Sequence, residues 1–559
     1  MFGHATPPRE PTVPQPPAMK TSVAIIGGGP CGLLSSLLLS RRGVPNVLVE
    51  KHRGPSFHPK AMGITRRSAE ILRGLGLLGG IAEEDLLPGV ANMTFWSTRL
   101  AGGEELGRTA LEPDPEGASP CRRLHCPQPV TETVLRAAAE AETAGTLLFG
   151  TRMLSFSEAE SSVKIRLESP ESDRPLALEA DWMIAADGDA SPVRTALGIP
   201  TEGPGDLGHF LNVYFRARYG PHLRERRSLL HNVLNENGFE TFVAVDGEDR
   251  WLMHHFLQEG ESAGDYGPDE LAGVIREMSG LPGEPVEILG VSPWAMVPKV
   301  ASRWRSGRIF LTGDASARLS PAGGLGMNAG LQSAHNLAWK LAAVVQGEAT
   351  PSLLESYATE RLGVIGRIFS ASQGHAEEVF SIVGKGLSGD WAGVREEIAA
   401  SRRRGSGLGL DLGLAYPTGA FLPDETPEPN PDDPANDFEP DARPGLRAPH
   451  LPLGGGESIL DRYGQGFVLL CGEGADDWET GAAGLTGRTT FPLGLSVQRC
   501  GRNLPVDGNV LCETHGITPE GAVLVRPDGI VGARWAGTET AKTRLEEAAD
   551  FFRAYPVPG

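Results

Sequence analysis

The sequence predicts an α/β chain in which a Rossmann-like nucleotide-binding domain is interrupted by an antiparallel sheet and followed by a separate C-terminal module. Three observations carry that prediction: a glycine fingerprint between an apolar β-run and a leucine-rich segment, alternating strand-like runs between Asp206 and Val300, and a proline- and acid-rich stretch at 423–441. With 559 residues and 40% hydrophobic side chains, the chain is long enough for two or three domains with real cores.

Residues 1–19 are rich in proline and lack an apolar signal-peptide core, so they read as a disordered tail outside the fold, with Met19 a candidate natural start. Residues 20–200 read as the first part of the nucleotide-binding domain. The fingerprint Gly27-x-Gly29-x-x-Gly32 follows the β-run Ser22-Val-Ala-Ile-Ile and enters a helix through Leu33 to Leu39. Gly27 permits the tight turn, Gly29 lets backbone approach a pyrophosphate, and Gly32 allows close helix–strand packing. A second apolar strand, Asn46-Val-Leu-Val-Glu50, ends in an acid 21 residues after Gly29, the spacing at which a carboxylate meets a ribose diol. Glu50 therefore suits an adenosine without a 2′-phosphate.

The runs Phe210 to Tyr219, Phe239 to Val245, Trp251 to Leu257 and Val286 to Pro298 predict an inserted antiparallel substrate domain over 201–300, to which a hairpin at 90–115 adds. A sheet laid over a cofactor would wall an aromatic-sized pocket. Candidate pocket groups on these strands are His231, Asn235, Met253, His255, Trp294 and Met296. Trp294 and Met296, two apart, share a strand face. A histidine on a strand is more often a satisfied core residue than a base, and plain sheet core is the commoner place for such a Trp and Met.

Residues 301–420 return to the nucleotide-binding domain and add helices. Ile309-Phe-Leu-Thr is a short buried strand, Gly313 a close-approach position, and Asp314 a strand-end carboxylate placed to accept hydrogen bonds from a polyol such as a ribityl chain. After Pro321, the glycines Gly323, Gly324 and Gly326 free backbone amides, and Met327-Asn328 opens a helix through Leu331, Ala334, Leu337 and Leu341. The positive end of that helix stabilises the negative charge that a reduced flavin carries on its pyrimidine edge. Together with the fingerprint, this block predicts FAD rather than NAD as the resident cofactor.

The segment 423–441 holds six prolines and eight acids without one Lys or Arg, which predicts an extended linker over 421–445. Beyond it, 446–559 reads as a compact module: a buried strand Phe467 to Cys471, two strands within 522–535 joined at Pro527-Asp-Gly529, and a final helix from Thr540 to Tyr555. The net charge of −20 argues against a nucleic-acid partner, and no apolar run has membrane-spanning length. The six cysteines form no C-x-x-C pair, which predicts free thiols, a cytoplasmic location and no metal site.

Three motifs in order, Gly27-x-Gly29-x-x-Gly32, Ala186-Asp187-Gly188-Asp-Ala-Ser191-Pro-Val-Arg194 and Gly313-Asp314, resemble those of the single-component flavoprotein aromatic hydroxylases, the para-hydroxybenzoate hydroxylase class. The C-terminal extension resembles the branch with phenol hydroxylases and polyketide-tailoring hydroxylases. The resemblance implies duties toward FAD and a transient nicotinamide cofactor for Asp187 and Arg194, and a flavin contact for Gln128 in Gln128-x-x-x-Glu132-x-x-Leu135. It places Lys60 where the family usually has an arginine near the pyrophosphate, a change that keeps charge but loses the planar fork. It also implies that Pro321 packs by the flavin near the reaction centre, shaping the loop rather than reacting. Ala317 stands where a histidine is common, and Ser333 where an aspartate is. The C-terminal module resembles a thioredoxin-like domain, and without a C-x-x-C pair it implies a structural or dimer-supporting role, a homodimer being common in such families.

The implied reaction is monooxygenation: NADH or NADPH reduces FAD, dioxygen is taken up as a flavin hydroperoxide, and one oxygen atom passes to an electron-rich arene, a multi-ring phenol or quinone. Deprotonation of a phenol by His231 or His255 would assist. Two alternatives stay open: oxygen insertion into a ketone or epoxidation on the same scaffold, and a flavin-binding protein without oxygenase activity, which the departures at Ala317 and Ser333 favour.

Overall fold

The computed structural model describes residues 19–556 apart from 84–92, 111–114, 116, 171, 173–174, 402–406, 428, 486–489 and 538–539. The expected tail lies outside these residues save for Met19, which opens the first strand. The central sheet runs, in spatial order, Arg305–Ser306, Ile309–Leu311, Leu176–Ala185, Met19–Ile26, Asn46–Glu50 and Gly145–Phe149, and all but the first of these are mutually parallel. Val23, Ala24, Ile25 and Ile26 are buried in succession rather than alternately, because helices cover both faces of a parallel sheet. The helix Pro30–Ser40 starts with proline at its first turn, where a missing N–H costs nothing, and is buried all round between the sheet and the long helix Gly326–Val345.

The inserted sheet has the order Glu287–Ala295, His209–Arg216, Arg250–Leu257, Gly238–Ala244, Leu230–Asn235, Met93–Ser97 and Glu105–Ala110. The last two strands form the hairpin expected within 90–115, whose outer residues fall partly outside the described ones. The sequence reading placed His231 and Asn235 on the inserted strands without marking out the strand Leu230–Asn235 that carries them, and it passed over the helix Pro268–Ser279. That helix covers one face of the sheet, setting Leu271, Ile275 and Met278 against Leu211, Val213, Phe242, Trp251 and Met253.

The C-terminal module is a mixed four-stranded sheet in the order Leu495–Arg499, Phe467–Cys471, Ala522–Val525 and Val531–Trp535, with helices Asp476–Ala483, Gly508–His515 and Ala541–Arg553 about it, a thioredoxin-like layout. The stretch expected as an extended linker is instead tied down. Arg534 bonds Asp424 at 2.8 Å, Asp441 at 3.2 Å and Thr426, and the Leu422 amide donates to the Gly532 carbonyl at 2.8 Å. Two of its acids, Asp424 and Asp441, are therefore partners for a half-buried arginine.

A buried ionic knot fastens the module to the part of the chain built on the parallel sheet. Arg526 donates to Glu360 Oε1 at 2.8 Å and Oε2 at 2.9 Å and to Asp528 Oδ1 at 3.0 Å, while Lys340 Nζ donates to Glu360 Oε2 at 2.8 Å. All four side chains are buried. Burial alone would raise the Glu360 carboxyl, but Arg526 and Lys340 hold it well below the usual carboxylate range. Two cations face two anions, and Asn336 adds hydrogen bonds to Glu360 and Asp528, so the cluster is neutral and well satisfied. Replacing Arg526 by methionine leaves two buried carboxylates facing one lysine. Urea unfolding of Arg526→Met is expected to show a loss of about 3–5 kcal/mol, against less than about 1 kcal/mol for Arg544→Met, whose ion pair to Glu547 lies on the surface.

Candidate active site

The parallel register brings four sequence motifs to one edge. Ile26 pairs with Ala185 and Val49, and Ala185 pairs with Leu311, so Gly27, Asp187, Asp314 and Glu50 stand at the carboxyl ends of four neighbouring strands. Ligands of open α/β sheets bind along that edge. Gly27 has φ +110°, and an added Cβ would lie 2.1 Å from the Ala186 carbonyl oxygen; at Gly32 it would lie 2.0 Å from the Gly27 carbonyl oxygen. Both glycines are demanded by the protein's own packing. At Gly29 an added Cβ would meet nothing within 4 Å, so this position borders open space at the amino end of Pro30–Ser40. The Glu50 carboxylate accepts from the amides of Gly28 and His52, each at 2.7 Å, which fixes it at the mouth of the same groove.

Asp314 is exposed and has no protein hydrogen-bond or ion-pair partner among the described residues. The mass of surrounding protein nonetheless raises its carboxyl, Asp189 adding to the effect while Arg318, Lys60 and Lys299 oppose it. A carboxylate that is accessible yet crowded by surrounding protein stands in a concave part of the surface. Beside it, Gly323 and Gly324 take φ of +87° and +65°, and the Gly324 amide donates to the Pro321 carbonyl at 3.0 Å. The first bond of the following helix runs from the Ala329 amide to the Leu325 carbonyl at 2.9 Å, leaving the amides of Gly326, Met327 and Asn328 ahead of it. The Asn328 side chain stitches this loop to its neighbour, accepting from the Thr65 amide at 2.9 Å and donating to the carbonyls of Gly63 and Gly324 at 3.0 Å. Open space at Gly29, an unpartnered carboxylate at Asp314 and unbonded amides at a positive helix end are the donor and acceptor set that a dinucleotide flavin requires.

The inserted sheet supplies the opposite wall. Phe210, Asn212 and Tyr214 on one strand, Leu252, His254 and Phe256 on the next, and Trp294 on the sheet edge share a face turned away from the helix Pro268–Ser279. On this face Phe210, Phe256, Trp294 and Met296 gather with Ala322 of the glycine loop and Ala376, while Tyr214, Val243 and Leu252 gather with Met62. Between these two apolar groups runs a polar row, Ser292, Asn212, His254, Thr241 and Asn232, set side by side by the strand register. Four of the five are half-buried; the helix-facing residues next to Asn212, His254, Thr241 and Asn232 are buried, whereas Val291 and Pro293 beside Ser292 on the edge strand are exposed.

Residues 20–372 match the family model described as the FAD binding domain, and 441–552 that of the aromatic-ring hydroxylase C-terminal domain. The chain belongs to the FAD-dependent aromatic hydroxylases. Among the relatives of this hydroxylase, the tetracenomycin A2 monooxygenase-dioxygenase of Streptomyces glaucescens is 36% identical over 92% of this chain and 93% of its own. Aklavinone 12-hydroxylase RdmE of Streptomyces purpurascens is 31% identical over 93% and 96%. The crystal structure of the flavin-dependent monooxygenase PieE in complex with FAD and substrate superposes with a TM-score of 0.88 at 29% identity, covering 96% of this chain and 99% of that one.

Several residues singled out from the sequence lie elsewhere than expected. His231, Asn235, Met253 and His255 are on the helix-facing side of the inserted sheet, not in the cleft. His231 is 1% exposed and packs against Phe95 and Trp251; His255 bonds Glu240 at 2.7 Å; Asn235 donates to the Thr98 carbonyl at 2.9 Å; Met253 is core. Strand side chains alternate, so a choice displaced by one position falls on the wrong face. His254 and Asn232, neighbours of three of those choices, face the cleft together with Asn212 and Thr241, as do Trp294 and Met296. Arg194 is held within the protein, its terminal nitrogens donating to the carbonyls of Ala315 at 2.9 Å and Asp189 at 2.6 Å. It braces the Asp314 loop. Asp187 accepts from Ser191 Oγ at 2.7 Å and the Val193 amide at 3.1 Å, holding the turn into Pro192–Ala196.

Lys60 is exposed near the cleft, and Gln128 opens its helix with its amide bonded to the Ala61 carbonyl at 2.8 Å and its side chain to Glu132 at 2.6 Å. Pro321 is exposed at the start of the glycine loop. At the departure Ser333, the hydroxyl accepts from Arg361 Nε at 3.1 Å; Ala317 is buried in a strand pair opposite Val300.

Burial pushes the His231 imidazole down to about 4, whereas an unfolded chain protonates it near 6.5. The native state thus binds fewer protons, and this contribution to stability is present above pH 6.5 and lost as pH falls toward 4. His231→Leu is expected to lose less stability than the parent between pH 6.5 and 4, by roughly 3 kcal/mol in urea titrations.

Proposed function

We propose that this hydroxylase adds one oxygen atom to a polycyclic aromatic phenol or quinone of the polyketide type, using FAD, NADH or NADPH, and dioxygen. The observation that carries the reading is the cleft itself: a polar row flanked by two apolar groups, facing a glycine loop and an unpartnered aspartate at the carboxyl edge of the parallel sheet. Flat apolar walls suit fused rings, and the polar row suits their oxygens. The relatives' names, polyketide hydroxylases, tetracenomycin monooxygenases and aklavinone hydroxylases, favour hydroxylation over ketone insertion or a role without turnover.

Bound FAD supplies the redox chemistry, accepting hydride from the nicotinamide and activating dioxygen. The chain's residues hold and screen. Gly27 and Gly32 shape the turn and Gly29 would admit the pyrophosphate at the first helix, with Lys60 adding a point charge; Glu50 would take the adenosine diol, Asp314 the ribityl hydroxyls, and Gln128 would reach the flavin side chain. The amides from Gly326 to Asn328, with Gly324 allowing close approach, receive negative charge at the pyrimidine rim. Asp187 and Arg194 keep the adjoining turn in shape, and Pro321 sets the loop by the ring. Phe210, Trp294, Met296 and Phe256 keep water off the reacting face and orient the arene. Six free cysteines support a reducing, cytoplasmic setting, and among the described residues no helix is long and apolar enough to cross a membrane.

The purified protein is expected to be yellow, and its NAD(P)H oxidation to rise severalfold with a fitting member of a panel of polyphenols and naphthoquinones, giving a product heavier by one oxygen atom in mass spectrometry. A colourless protein, or flavin whose turnover no arene alters, would refute the reading. Asp314→Ala and Glu50→Gln are each expected to weaken FAD binding about tenfold or more by fluorescence titration, charge-assisted hydrogen bonds being worth roughly 1.5–3 kcal/mol.

A further inference from the structure

Asn212 is held between two neighbours on the cleft wall. One terminal atom of its amide lies 2.6 Å from Trp294 Nε1 and 2.5 Å from His254 Nδ1. Indole N–H donates only, so that atom must be the amide oxygen. The oxygen accepts only, so His254 Nδ1 must carry a proton. Burial pushes the imidazole down to about 4, which keeps the ring neutral at physiological pH. A neutral ring with hydrogen on Nδ1 has a bare lone pair on Nε2. That nitrogen has no protein partner among the described residues and is not among the buried unsatisfied atoms, so it opens onto the cleft.

Resting on the proposed function, we propose that His254 Nε2 accepts a hydrogen bond from a phenolic hydroxyl of the substrate, and that Asn212 and Trp294 are positioning residues that lock the imidazole in the accepting tautomer. The O–H bond is kept. A base so weak would take the proton of a phenol, with an ordinary value near 10, only at a cost of several kcal/mol, so the contact polarises and orients the ring without removing the proton. Specificity follows, because a methyl ether has no hydrogen to give and leaves the lone pair facing a carbon. The neighbouring His255 cannot serve, being bonded to Glu240 on the far face.

The test is binding of 2-hydroxyanthraquinone and its methyl ether, 2-methoxyanthraquinone, to the FAD-loaded protein, read from perturbation of the flavin absorbance. The parent is expected to prefer the hydroxy compound about fivefold to tenfold. His254→Phe should bring the preference within twofold while retaining FAD, His254→Gln should restore part of it, and Asn212→Leu should weaken it with the imidazole still present. Should His254→Phe fail to hold FAD, Asn212→Leu decides: an undiminished preference there overturns the proposal. A preference unchanged in His254→Phe, or absent in the parent, also overturns it and leaves the proposed function standing. A parent that binds neither compound contradicts the polycyclic pocket itself and takes both readings down.

Discussion

Everything in the site depends on the level register of the parallel strands. Ile26, Ala185, Val49 and Leu311 are tied side by side by backbone hydrogen bonds, and only because they end together do residues from positions as distant as 27 and 314 meet along one groove. The tightness is mutual: the Gly27 turn sits against the Ala186 carbonyl so closely that no Cβ fits, and Gly32 sits as closely against Gly27. A slip in one strand would displace the Gly27 turn, the Asp187 turn and the Asp314 loop against one another. The buried knot of Arg526, Glu360, Lys340 and Asp528 secures the same geometry from behind, since Lys340 belongs to the helix whose first residues form the glycine loop.

The inserted sheet divides its two faces between two tasks. One face is closed by Leu271, Ile275 and Met278 and gives the domain its own core; the other faces the glycine loop and carries the polar row. The same alternation accounts for the contrast between His254 and His255, adjacent in the chain, of which one opens onto the cleft and the other is sealed with a glutamate.

Much of this was legible in the sequence wherever a single residue type has no substitute. Gly27, Gly32, Glu50 and Gly313-Asp314 are readable because turns, close approach and strand-end carboxylates each require one chemistry. The strand Asn46–Glu50 and the helix from Gly326 follow from uninterrupted apolar runs. The cleft wall was not legible, because Phe210-Leu-Asn-Val-Tyr-Phe215 is apolar on both sides and masks the period of two; which face is left uncovered is decided by the distant helix Pro268–Ser279, not by local pattern. The acid-rich stretch at 423–441 misled for a similar reason: composition marks it as solvated, but Arg534, almost a hundred residues on, claims Asp424 and Asp441. The side chains of Asn328 and Arg194, singled out for the motifs they sit in, tie neighbouring loops together, a contact that only the folded chain reveals.

The most direct measurement is a crystal structure of the protein grown with saturating FAD. The account predicts density for the tricyclic ring between the glycine loop at 321–328 and the face of the inserted sheet bearing Asn212 and His254, with the adenosine diol at Glu50 and the ribityl chain at Asp314. Flavin density on the side of the helix Pro268–Ser279, or a cleft with Phe210 and Trp294 packed shut against Ala322 and no ring bound, would contradict it.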